Sequence, residues 1–269
     1  MNKTDIEVNM EKEEMITAEE IKLILDHYRI GKKPLAKLLG WGETTIIRYM
    51  DGDTPTIEYS NKLQMLMKYP EYYYNLLLKR KDCLTKVAYR KSKQAVIDYI
   101  MSSKISAVAY YIINLCNGDI SGRYIQYLLY YAQVFSLAIC DMELFSEDCL
   151  VNNELIPYRK LYDKMRESGI HNLEIGKDYL MPNEKELVDI VFESMTWYGP
   201  RALETLILYD KSHMKISRDQ DNNRIFSKET LKTYYKELFR GYQVRSMNDI
   251  GRYIDLQLKE LKERAQNFL

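Results

Sequence analysis

Apolar residues recur every three to four positions along most of the chain, with polar residues sorted onto the opposite side, which is the pattern of amphipathic helices. Thr17 opens the first helix. Glu20 follows three residues on to complete a capping box, and Ile21, Ile24, Leu25 and Tyr28 form the apolar stripe, with Gly31 read as its end. A second helix carries Leu35, Leu38 and Leu39, and a third carries Ile46 and Tyr49. Residues 57–68 and 71–80, parted by Pro70, supply two more, so five short helices share one small core. From residue 94 onward the helical period continues. It covers 95–101 and 107–116, then a turn at Asn117-Gly118-Asp119, then the most apolar stretch, 121–140. In that stretch Ile125, Leu128, Leu129, Ala132, Phe135 and Ile139 form one face, and Val134, Leu137 and Ala138 widen it, which predicts a central helix.

Residues 141–153 carry no period and predict at most a short strand. Pro157 predicts the start of a helix over 158–167, and 171–182 reads as a loop with some strand character. A helix over 184–198 turns Leu187, Ile190, Val191 and Met195 inward; Gly199 stops it and Pro200 begins the next, over 201–208. Residues 211–226 read as a polar loop, Ser227 as the cap of a helix through 239, and 248–267 as a closing amphipathic helix. That last helix carries Ile250, Ile254, Leu258, Leu261 and Ala265, and is expected to dock on its own domain in preference to a partner. The expected fold is therefore mainly α, with an N-terminal five-helix domain and a larger helical domain holding at most short strands. The predicted segments are a flexible tail at 1–16, a first domain at 17–80, a basic connector at 81–104, a second domain at 105–240 and a terminal helix at 241–269.

The stretch 32–55 gives the first domain its chemistry. Ala36 lets a second helix approach the first, and Gly40 can take the left-handed conformation that a tight turn needs. This is the layout of a helix-turn-helix, with the outward residues of its second helix facing the DNA major groove. The DNA-binding residues expected on that basis are Lys33, Lys37, Gly42, Glu43, Thr44, Thr45 and Arg48. Arg48 is the candidate for a two-pronged bond to guanine or a contact to phosphate. Thr44 and Thr45 can meet phosphates or a thymine methyl, and Lys33 and Lys37 suit phosphate positioning on the first helix. Glu43 either accepts from cytosine or repels the backbone as a selectivity filter. Trp41 reads as a packing anchor beside the turn. The segment 79–93 is markedly basic and reads either as a track along the DNA backbone or as a solvated connector.

Composition narrows the rest. The formal net charge is zero, so attraction to a polyanion must come from local patches. The 24 tyrosines fall at helical spacing, which assigns them to aromatic core and surface filler more readily than to a base-stacking surface. The four cysteines form no Cys-x-x-Cys pair and read as reduced, mostly buried thiols. The polar, acidic start predicts no secretory leader, and no apolar run reaches membrane-spanning length; a cytoplasmic protein is expected. No catalytic residue, cofactor or metal site is predicted. His27, His171 and His213 are isolated, His27 reads as a surface residue, and His213 with Asp210 and Asp219 can be drawn as a metal cluster but reads more readily as a solvated polar loop.

Leu39, Gly40, Trp41, Gly42, Thr45, Arg48, Tyr49 and Gly52 fall on Leu-Gly-Trp-Gly-x-x-Thr-x-x-Arg-Tyr-x-x-Gly, and over about 17–96 the chain resembles the helix-turn-helix domain of MqsA-like antitoxins. Typical members carry a Cys-x-x-Cys zinc ribbon ahead of this domain; it is missing here, so no zinc is carried over. Residues 105–239 resemble a divergent Panacea (SocA-like) domain. Leu128, Leu129, Tyr130, Tyr131, Ala132 and Gln133 match its Leu-Gln-Lys-Leu-Leu-Tyr-Tyr-Ala-Gln helix, Leu144 and Phe145 its Leu-Phe turn, and Pro157 the remnant of its Ala-Trp-x-x-Gly-Pro-Val segment. The family's late Thr-His-x-x-x-x-Trp signature is degraded near His213. Together the resemblances imply an antitoxin without enzymatic activity. Its second domain would neutralise a cognate protein toxin, and its first would occupy a double-stranded operator as a homodimer and repress the operon. A helix-turn-helix regulator whose second domain dimerises or senses a ligand, and a SocA-type proteolytic adaptor, are the alternatives.

Overall fold

The computed structural model describes residues 15–170 and 172–267, with side chains to Glu263; His171 and all but the last two residues of the predicted tail lie outside the described residues. The chain is mainly α and divides into two compact units, one reaching Tyr99 and the other beginning at Ile100.

In the first unit, α1 (Ala18–His27) starts at the predicted capping box: Thr17 Oγ1 accepts from Glu20 N at 3.2 Å and Glu20 Oε2 accepts from Thr17 N at 2.8 Å. The helix ends earlier than Gly31. Tyr28 is its C-cap, Arg29 turns the chain at φ 46°, and Gly31 instead caps the N-terminus of α2 (Lys32–Leu39). Next come α3 (Thr45–Met50), α4 (Ile57–Lys68) and α5 (Pro70–Lys79), where Pro70 sits in the first turn and its missing N–H costs nothing. Ile21, Ile24, Leu35, Leu38, Ile46, Leu63, Leu66 and Leu77 are buried, as the stripes predict. Tyr28 joins them. Its ring stacks on Tyr73 with centroids 3.9 Å apart and its hydroxyl donates to Leu66 O at 2.5 Å.

The predicted connector 81–104 is not a separate element. A 3₁₀ turn (Lys81–Cys83) leads into α6 (Lys86–Met101), whose inner face belongs to the first unit's core. Ser92, fully buried, donates to Tyr28 O at 2.7 Å and lies 2.5 Å from the Tyr73 hydroxyl, and Tyr99 stacks on His27 at 4.5 Å. His27 is thus half-buried against a ring and not a free surface residue. The basic residues of this stretch are the outer face of a packed helix.

The second unit is built around α8 (Gly122–Ile139). It is central as predicted, capped by Ser121 and buried on every side from Ile125 to Ala138. Packed on it are α7 (Lys104–Leu115), α9 (Arg159–Ser168), α10 (Pro182–Met195), α11 (Gly199–Lys211) and α12 (Lys228–Gly241), the last capped by Ser227. The closing helix α13 (Ile250–Asn267) lies on α10 and α11 and buries Ile250, Tyr253, Ile254 and Gln257, so it docks on its own unit. One prediction fails here. The polar stretch 211–226 contains a hairpin, β2 (Ser217–Arg218) and β3 (Arg224–Phe226), and β3 also pairs antiparallel with β1 (Cys149–Leu150) in the order β1-β3-β2. These strands are two or three residues long, too short for alternation to show in the sequence. The strand character assigned to 171–182 yields no strand among the described residues.

The cysteines are all free; Cys149 is buried, Cys116 and Cys140 are half-buried, and Cys83 is exposed, against the expectation of mostly buried thiols. No single helix among the described residues is long and apolar enough to cross a membrane.

Candidate nucleic-acid interface

α2 and α3 pack against each other through the tight turn that the sequence predicts. Gly40 caps α2 at φ 79°, the left-handed region where a side chain is strained, and Leu35, Ala36, Leu38 and Ile46 are buried beneath. Trp41, half-buried, lies against Tyr59 of α4 with centroids 4.1 Å apart, which confirms it as a packing anchor. Gly42 has no positive φ; it is exposed, and its carbonyl accepts from Thr45 N at 3.0 Å to start α3. Thr44 takes the N-cap position without a side-chain capping bond, which leaves its exposed hydroxyl available; Thr45 is half-buried. Arg48 lies on the outer side of α3, exposed.

The cations of this surface are held by the protein's own carboxylates. Lys37 Nζ lies 2.9 Å from Glu43 Oε1, and Lys33 Nζ lies 3.9 Å from Glu43 Oε2, so one acidic side chain bridges both lysines. The Lys37 hydrogen bond and charge pull the Glu43 carboxyl below its usual range and raise Lys37. Arg48 Nε donates to Asp53 Oδ2 at 2.7 Å. Asp53 reaches back because Gly52, at φ 111°, folds the exit loop and Asp53 N donates to Arg48 O at 3.0 Å. Sequence reading missed Asp53, although a carboxylate five residues after an exposed arginine, past a glycine, is its visible signal. Arg80, part of the basic segment 79–93, lies where its spacing gave no sign: its guanidinium covers the turn so closely that a Cβ on Gly40 would stand 2.6 Å from Nη1.

Glu43 therefore occupies the place where a DNA phosphate would meet Lys33 and Lys37. We expect Glu43→Gln to raise affinity for a mixed-sequence duplex about tenfold at low salt, the effect of roughly one added phosphate contact. Fluorescence anisotropy across a salt series would measure this.

The second unit carries two buried polar knots. Gln133 accepts from Leu144 N (2.8 Å) and Phe145 N (3.3 Å) and donates to Phe145 O (2.8 Å), so the helix motif and the Leu-Phe turn singled out in the sequence meet in space. Asp210 does not lie in a solvated loop. It is fully buried and accepts from Tyr235 OH (2.6 Å), Tyr234 OH (2.9 Å) and Gln257 Nε2 (3.0 Å), while Tyr235 OH also meets Tyr130 OH at 2.9 Å. Burial pushes the Asp210 carboxyl up to about 6 in spite of these donors. His213 is exposed and bonds Tyr209 O, and Asp219 closes its own turn by accepting from Asn223 N, so the three are not brought together. Among the described residues no group of three or more His, Cys, Asp or Glu side chains is placed to hold a metal ion. Trp197, in a 3₁₀ turn between α10 and α11, is 90% exposed.

No family model matches the chain, and no curated protein or solved structure matches it.

Proposed function

We propose that the chain is an operator-binding repressor of antitoxin type, in which α2 and α3 read duplex DNA and the second unit binds and neutralises a protein toxin. The observation that carries the DNA half is the exposed set Glu43 in the turn, Thr44 at the N-cap and Arg48 on α3, a short helix whose inner residue, Ile46, is buried in the core together with Ala36 and Leu35. Phosphates position such a motif and base edges give it sequence preference. A dimer reading half-sites about one helical turn, ~34 Å, apart is the expected binding form. The toxin half follows from the resemblance of the helix motif and its Leu-Phe turn. The exposed Trp197 supports it by offering a partner an aromatic anchor of the kind that dominates protein interfaces. The reading makes the protein a stoichiometric binder located in the cytoplasm, with no turnover.

DNA from immediately upstream of the gene, compared with a shuffled duplex, tests the first half. Arg48→Ala is expected to weaken the upstream duplex about tenfold to 100-fold and the shuffled one far less; equal loss on both reduces Arg48 to a phosphate contact. Growth rescue tests the second. The full chain should restore growth to cells expressing a neighbouring toxin-like reading frame. Rescue by residues 1–99 alone would move neutralisation out of the second unit.

A further inference from the structure

The recognition surface keeps only part of its positive charge free, because Glu43 and Asp53 offset two of the three charges on Lys33, Lys37 and Arg48. A DNA-binding unit with a partly self-neutralised reading face needs another source for the sequence-independent part of its affinity. The same unit supplies one. Arg80 lies on the helix-turn-helix turn itself, over Gly40, and the 3₁₀ turn that follows packs beside α2. The chain then enters α6, where Lys86, Arg90 and Lys91 are all exposed; Lys86 and Arg90, four apart, are neighbours on one helical face, and Lys91 flanks them. Among the described residues no carboxylate is paired with any of these three, in contrast to every lysine and arginine named on α2 and α3.

We propose that Arg80, Lys86, Arg90 and Lys91 form a second nucleic-acid contact surface of the first unit, a track for the phosphate backbone of duplex DNA that starts at the turn of the reading motif and runs along α6. The proposal rests on the DNA-binding reading above and divides its labour. Carboxylate-matched residues on α2 and α3 discriminate between sequences, and unmatched cations on α6 hold any duplex. The inner face of α6, through Ser92, Ala95 and Val96, is locked into the core, so the track is presented on a rigid rod.

The test uses the full chain and a 30-base-pair duplex of mixed sequence, titrated from low to high salt, with Lys86→Gln/Arg90→Gln/Lys91→Gln beside the wild type. All three side chains are exposed, so the fold is retained, and a circular dichroism melt checks it. Removing three phosphate contacts is expected to lower the slope of log affinity against log salt by about 2.7, with the same proportional loss on the preferred sequence. An unchanged slope in the variant, with the wild type binding the duplex, overturns the track and leaves the reading motif intact. Loss of binding to phosphatidylserine vesicles with no change on DNA also overturns it, in favour of a membrane surface. A wild type that binds no duplex defeats the underlying reading instead, which the upstream-DNA comparison reports separately.

Discussion

Replacing Asp210 by alanine should cost the second unit about 3–4 kcal/mol, because the hydroxyl of Tyr234 and the amide of Gln257 lose their acceptor and each buried orphan costs roughly 1–3 kcal/mol. Tyr235 keeps a partner in Tyr130 and suffers less. Asp210→Asn keeps the shape and an acceptor, so it should be far milder. The pair of variants separates the hydrogen-bond knot from the charge. Because burial holds the native carboxyl near 6, above its usual 3.8, the folded state binds more protons than the unfolded chain between these values. The stabilisation is fully present below the unfolded value and is lost as pH rises through about 6. Urea melts should therefore find the second unit about 1 kcal/mol more stable at pH 5 than at pH 7 from this group. Asp210→Asn should abolish the difference. The tyrosines around it are pushed upward by burial, so they stay neutral throughout, and His213 is the nearby charge that opposes the shift. Asp141 acts in the opposite sense. Lys236 and Lys232 hold it at about 2, so its contribution is present above its usual range and is lost only as pH falls toward that value.

Tyr28→Ala is expected to remove roughly 3–5 kcal/mol from the first unit, the range for deleting a large buried ring. The ring is fully buried against Tyr73, its hydroxyl satisfies Leu66 O, and its own carbonyl accepts from Ser92. One residue thus ties α1 to α4, α5 and α6. Tyr28→Phe keeps the stack and loses one hydrogen bond, about 1 kcal/mol. In a thermal melt of the full chain, Tyr28→Ala should bring forward the unfolding of the first unit while that of the second unit stays where it was. A single shifted transition would show that α6 transmits the damage and that the two units do not unfold independently.

The helix-turn-helix layout was legible because its rules are local. Gly40 must turn left-handed, Ala36 must be small, and Leu35, Leu38 and Ile46 must face inward. The tyrosines were legible for the same reason: Tyr28, Tyr73, Tyr110, Tyr127, Tyr130 and Tyr131 fall on helical stripes and are fully buried. Charge pairing was not legible. Whether Glu43 repels DNA or grips Lys37 depends on the angle between α2 and α3, which periodicity does not set. Asp210 was misread because Asp-Lys-Ser-His looks like a loop. Yet it continues the spacing of Leu203, Leu206 and Ile207, and an acidic residue on an apolar stripe signals a buried hydrogen-bond site. Likewise Lys86 and Arg90 fall on the side of the helical period away from Ser92, Ala95 and Val96, which marks a packed helix and not a connector.

The small ribbon has a consequence for how the protein is made. β1 finds its partner edge only in β3, and α9, α10 and α11 are synthesised between them. A nascent chain that stalls in that interval leaves Cys149 and Leu150 without their partner, and at two residues the strand is too short to template pairing with other chains. Translation through Phe226 is the moment at which the three-stranded ribbon can form.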